Sequence, residues 1–199
     1  MPVFKGWPSI APSWSEMEYF EIIEVPRNII LSFQRRSAKE KLFAGAGSCT
    51  VLMGDEKKDL NYGESTDVAS DIFHVSAFES PVTLIRIGGH WDGELGGSGV
   101  FSMDMSPGAK NTGDPAGYPR NTLFDNHYHD CDEFWIIFKG QALVYSEGKP
   151  YEIGRGDCVA TKRGDHHDIA GIYETLHGVY FETTLRGQKR PGHLHNRQA

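Results

Sequence analysis

The sequence predicts an all-β chain of the jelly-roll class, with two barrels in tandem. Three observations lead there. Short runs rich in Val, Ile, Phe and Tyr recur at even spacing through the 199 residues, and no amphipathic helical period interrupts them. Glycine and proline punctuate those runs, as hairpins require. Landmarks of the first half also recur in the second at a constant offset of 93 residues.

Residues 1–20 carry Trp7, Pro8, Pro12, Trp14 and Tyr19 without period, which suggests an arm packed on a barrel or on a second subunit. Residues 20–25 and 29–33 read as strands split by Pro26. From there the repeat needs no gap. His127 falls on Gln34, His129 on Arg36, Glu133 on Glu40, Gly140 on Gly47, Gly156 on Gly63 and His167 on His74. Turn glycines persist through duplication because other residues resist positive φ. Residues 81–88 read as the closing strand of a first barrel, and the glycine-rich stretch 88–99 as the junction, where Trp91 argues for packing over a flexible linker. Residues 106–121 form a long loop that leads to the second barrel and is expected to line its mouth. The expected organisation is an arm over 1–20, a first barrel over 21–99, a second over 100–185 and a basic tail over 186–199.

The chemistry concentrates in the second barrel. His127 and His129 lie two apart on an extended segment and face the same side of a sheet. Glu133 follows a short polar break and opens the apolar run 134–138, so a hairpin returns it towards the imidazoles. Two ring nitrogens and a carboxylate suit a first-row metal. His167, after turn signals at Gly156-Asp157 and Gly164, is the candidate fourth ligand, with His166 its rival.

At these residues the chain resembles the cupin superfamily. His127, His129, Glu133 and Gly140 match the first cupin motif at every spacing. Gly156, Gly164 and His167 match the second, with Lys162 where the family prefers Pro. The glycine expected before the first His is Asn121. The resemblance implies a double-stranded β-helix and one divalent first-row transition metal (Fe, Mn, Ni, Zn or Co) on His127, His129, Glu133 and His167. It favours His167 over His166, and it leaves the reaction open because one site serves many chemistries. With the repeat, it implies a bicupin whose first barrel is degenerate. Gln34 and Arg36 replace two ligands there, so no metal is expected, and Arg36 is expected to pair with Glu40. An anion pocket on Arg36 and His74 is the alternative. Homodimers formed through sheet edges are common in the family.

Net charge −7 argues against nucleic acid as the partner. No apolar run approaches membrane-spanning length, and no leader-like pattern opens the sequence. Cys49, Cys131 and Cys158 form no CxxC, which fits a reducing, cytoplasmic setting. A small-molecule substrate is expected. Arg120, Asn121 and Trp135 are candidates to bind it, and His166, Tyr180 and Glu182 are candidates for a proton acceptor. The polar loop near the ligands favours an isomerase, epimerase or lyase acting on a sugar-derived or hydroxy-carbonyl compound. A non-haem iron dioxygenase is kept open by Trp135 and Phe124, and a non-catalytic binding cupin is the third reading. His193 and His195 repeat the His-x-His spacing with no acid in phase, so a loose tail is expected there.

Overall fold

The computed structural model describes residues 3–104 and 127–195. Among them every regular element is a strand, and no helix is long and apolar enough to cross a membrane. The first half holds β2 (Met17–Val25), β3 (Ile29–Gln34), β4 (Lys39–Ala46), β5 (Cys49–Met53), β6 (Glu56–Leu60), β7 (Ser65–Asp67), β8 (Ile72–Ala77) and β9 (Val82–Gly89). They form two four-stranded sheets, ordered β2-β9-β4-β7 and β3-β8-β5-β6. Pro26 separates β2 from β3 because it cannot donate to a ladder.

The second half holds β10 (Leu95–Met103), β11 (Glu133–Ser146), β12 (Lys149–Gly154), β13 (Asp157–Thr161) and β14 (His167–Thr184). With β1 (Val3–Lys5) added along β13, the sheet order is β1-β13-β11-β14-β10, and β12 pairs with β11. The long strands β11 and β14 stay paired through register shifts between Ile137 and Val144. Such bulges bend strands, so one continuous pair serves two faces of the fold. Gly140 sits in this bend at φ 87. A Cβ there would lie 2.3 Å from the Thr175 carbonyl oxygen, so both the backbone angle and the space demand glycine.

The offset of 93 seen in the sequence recurs in the register. Lys41↔Asp67, Leu42↔Thr66 and Phe43↔Ser65 correspond to Phe134↔Ala160, Trp135↔Val159 and Ile136↔Cys158. The pairs from Cys49↔Leu60 to Met53↔Glu56 correspond to those from Ala142↔Ile153 to Ser146↔Lys149. Gly47, Gly63, Gly140 and Gly156 all adopt positive φ.

Among the described residues three apolar cores follow from strand alternation. Leu42, Ala44, Val51, Phe73, Val75 and Leu84 fill the first half. Trp135, Ile137, Val144, Ile153, Val159 and Ile169 fill the second. A third core joins Phe20, Phe43, Ile85 and Ile87 to Phe134, Ile136, Val179 and Phe181, packing a sheet of each half against the other. The central strands are therefore covered on both faces. Val179 and Phe181 face this seam, while Tyr180 joins the Trp135 core on the other side. Trp91 is packed, its ring meeting Phe181 edge-on at 4.7 Å, and much of the glycine-rich stretch after it lies in β10. The N-terminal arm also packs on the fold, through β1 and through Trp14, stacked 6.2 Å from Phe134.

The tail departs from expectation. It is tied down rather than loose: Arg186 N–H donates to the Asp130 carbonyl at 2.8 Å, and Leu194 exchanges backbone hydrogen bonds of 3.0 and 2.9 Å with Tyr128.

Candidate metal centre

The backbone assembles the site. His127 and His167 form an antiparallel bridge, with backbone hydrogen bonds of 3.3 and 2.8 Å. Gly164 N–H donates to the His129 carbonyl at 3.1 Å, so the turn before β14 is pinned to the ligand segment. Glu133 opens β11 and His167 opens β14. All four side chains are buried, and they offer ligand atoms lying within 4.8 Å of one another, so they can hold a metal ion.

The donor set fits a cation on physical grounds. His167 Nδ1 lies 3.0 Å from the Asp165 carbonyl oxygen, which can only accept, so Nδ1 carries a proton. In the neutral ring Nε2 is then an acceptor, yet it stands 2.6 Å from Glu133 Oε2. Two acceptors that close require a proton or a metal between them. His129 Nε2 looks at the same oxygen from 3.2 Å. Among the described residues neither nitrogen of His129 makes a hydrogen bond of good geometry. A buried imidazole in that position is costly unless it binds something.

Electrostatics agree. Burial alone would raise the Glu133 pKa, but His129 and His167 hold it well below the usual carboxylate range. Burial opposes a charged ring on His129, but Glu133 and then Glu182 outweigh it and its pKa is raised. The pocket thus attracts positive charge around one anion.

Glu182 lies beside the four-donor group. Its Oε1 lies 3.7 Å from His129 Nδ1, on the ring edge away from Glu133. Burial and then Glu133 push its pKa up to about 7. Cys131 Sγ is 3.9 Å from Glu182 Oε2, and His129, Cys131 and Glu182 form a second group with converging donor atoms. Gly96 on β10 makes room for it: a Cβ there would stand 2.3 Å from Glu182 Oε2.

The other sequence candidates scatter. Trp135 meets His167 edge-on at 5.2 Å and walls the site. Tyr180 packs with the Trp135 core. His166 is drawn towards Glu147 and Tyr128, and its Nδ1 is 3.6 Å from Glu147 Oε1. Arg120 and Asn121, with Tyr118, Phe124 and the rest of that loop, lie outside the described residues. The sequence reading placed His193 in a loose tail, whereas its ring stacks on His127 at 3.8 Å. Its spacing to His195 was the available signal.

At the matching place in the first half, the expected Arg36–Glu40 side-chain pair is not the one formed. Arg36 turns to Glu21, lies over the Trp7 and Tyr19 rings, and gives Glu40 only its backbone N–H, at 2.6 Å. Arg86 holds Glu40 instead: Nε to Oε2 at 2.8 Å and an Nη to Oε1 at 2.8 Å, with that nitrogen also 2.6 Å from the Gln34 carbonyl. Tyr19 O–H completes the shell at 2.5 Å. The guanidinium's planar fork matches a carboxylate at two points. His74 is elsewhere, at 2.8 Å from Ser32 Oγ.

Residues 116–177 match the family profile described as Cupin domain. Protein y4oW of Sinorhizobium fredii is 38% identical over 185 residues, covering 92% of this chain and 85% of its own. The HTH-type transcriptional activator RhaR of Pectobacterium carotovorum is 35% identical over 63 residues, or 32% of this chain and 21% of the activator. Among solved structures, AerE of Microcystis aeruginosa superposes with a TM-score of 0.59 at 12% identity, covering 85% of this chain and 88% of its own. A mutant of Bacillus subtilis oxalate decarboxylase OxdC gives 0.59 at 11% identity, covering 94% and 78%. At such identities these structures show a shared fold.

Proposed function

We propose, from the premise that the chain belongs to the cupin superfamily, that it is a metal-dependent enzyme acting on a small polar substrate, sugar-derived or hydroxy-carbonyl, as an isomerase, epimerase or lyase. One observation carries this: four buried donors from three segments, His127, His129, Glu133 and His167, converge within 4.8 Å. A divalent ion held there would supply Lewis acidity to a substrate hydroxyl or carbonyl. The chain's own part is positional. Asp165 fixes the His167 tautomer through its carbonyl. Trp135 closes one wall and keeps it apolar. Glu182 stands 3.7 Å from His129 Nδ1 and steadies charge on that ring.

The same reading extends to architecture. The two halves are tandem barrels descended from one unit, and in the first the Arg86 guanidinium replaces the ion on Glu40. Supporting this are the shared register at an offset of 93 and the paired positive-φ glycines. Cys49, Cys131 and Cys158 are all unpaired and buried, as suits a reducing cytoplasm. Homodimerisation belongs to the same proposal.

The test is a panel of aldoses, ketoses, hydroxy acids and keto acids, with the metal-loaded and the chelated protein side by side. Metal-dependent conversion without O2 uptake supports the proposal. Substrate-dependent O2 consumption by the iron form would replace it with a dioxygenase. Saturable binding without turnover would replace it with a ligand-sensing module, a reading favoured by the 63 residues resembling the RhaR activator.

A further inference from the structure

The C-terminal tail returns to the metal centre. After β14 it is anchored on Asp130, through Arg186 N–H at 2.8 Å to the carbonyl and Arg190 N–H at 3.4 Å to Oδ2. Gly192, at φ 89, lets the chain reverse. Leu194 is then buried and pairs in both directions with Tyr128, the residue between ligands His127 and His129. The ligand segment is thus bridged twice, by His167 through His127 and by Leu194 through Tyr128.

This pairing lays the His193 ring flat on His127, with centroids 3.8 Å apart and planes 10° apart. The same ring meets His129 edge-on at 5.1 Å. His193 is half-buried, so it borders both the centre and solvent. It does not belong to the set of mutually close donors. Stacking alone would be served better by Phe or Trp, which bury more apolar area. An imidazole adds polar edges beside a polar, buried site. Of the three residues first considered as proton acceptors, Glu182 lies beside His129 Nδ1, His166 turns to Glu147, and Tyr180 packs with the Trp135 core.

We propose that His193 is a ligand-contacting residue of the centre, donating a hydrogen bond to an oxygen of the oxyanion or hydroxylated compound bound at the metal, with the tail as the strap that carries it there. This rests on the metal-centre reading. The expected class of ligand is a small carboxylate or polyol, since the ion and the imidazole together offer two points for oxygen.

The experiment uses full-length protein loaded with Co(II), its visible absorption, and acetate as the probe, for wild type, His193→Ala, His193→Gln and His193→Phe. All four should hold equal Co(II), because the four-donor set is intact. Acetate affinity should fall about tenfold in the Ala and Phe variants, the loss of one hydrogen bond, and recover in part with Gln. The Phe variant keeps a stacked ring and guards against a variant that merely loosens the tail. Unchanged acetate affinity in His193→Phe would reduce the ring to packing and overturn the proposal. Loss of Co(II) from His193→Phe would make His193 a metal ligand and also overturn it. An absent acetate response in loaded wild type would sink the proposal while sparing the metal. Failure of wild type to take up Co(II) would sink the metal reading itself.

Discussion

Replacing Arg86 with Met should destabilise the protein by about 3–5 kcal/mol, because it strands a buried anion. Both side chains are sealed, with 1% of Arg86 and 0% of Glu40 exposed. The pair has two short contacts at 2.8 Å, and Glu40 keeps only Tyr19 O–H and backbone N–H groups when the guanidinium leaves. Met fills similar volume, so cavity formation contributes little. For a chain of this size each kcal/mol moves Tm by about 2–4 °C, so Tm should drop by about 6–20 °C. Urea titration followed by circular dichroism and Trp fluorescence reads the change. The double variant Arg86→Met/Glu40→Leu removes the anion as well and should recover most of the loss. A single-variant cost below about 1 kcal/mol, or a double variant no better than the single, would refute the view that Arg86 acts as the resident cation of the first half.

The metal-free centre should have its own pH signature. The His129 pKa is raised, so its contribution is full below the unfolded value near 6.5 and is lost as pH rises through the folded value. The Glu133 pKa is lowered, so its contribution is full above 4.5 and is lost as pH falls through the folded value. The apoprotein therefore gains most from this pair between about pH 4.5 and 6.5, whereas metal must displace the proton on His129, so metal-induced stabilisation should grow from pH 6 to pH 8. Thermal melts with and without Zn(II) across that range check it, and a flat difference would count against His129 as a ligand. Gly140→Ala should cost about 2 kcal/mol or more, since it meets both positive φ and the Thr175 carbonyl, whereas Gly164→Ala, with open space beside it, should cost about 1. Equal losses in chemical denaturation would refute the steric part of that argument.

The converging donor set was legible because its geometry is local: a period of two carries His127 and His129, a short polar break precedes Glu133, and the Gly164 turn leads into His167. The Arg86–Glu40 pair was not, since its partners lie 46 residues apart on neighbouring strands. Its clue was a charged residue inside the apolar run of β9. Whether Val179 and Phe181 or Tyr180 and Glu182 face inward could not be read either. The strand is covered on both faces, by the seam and by the second-half core, so the polarity alternation that marks a half-exposed strand is lost. The tail misled for a different reason. Its basic, proline-containing sequence resembles a solvated end, and only the backbone pairing of Leu194 with Tyr128 brings His193 to the site.

Metal stoichiometry by mass spectrometry, on purified and reconstituted wild type, His127→Ala and His167→Ala, tests the central claim most directly. The arrangement of donors predicts about one ion per chain in wild type and less than about a tenth of that in either variant, with the far-ultraviolet dichroism retained. Full occupancy in either variant, or two ions per wild-type chain, would contradict it.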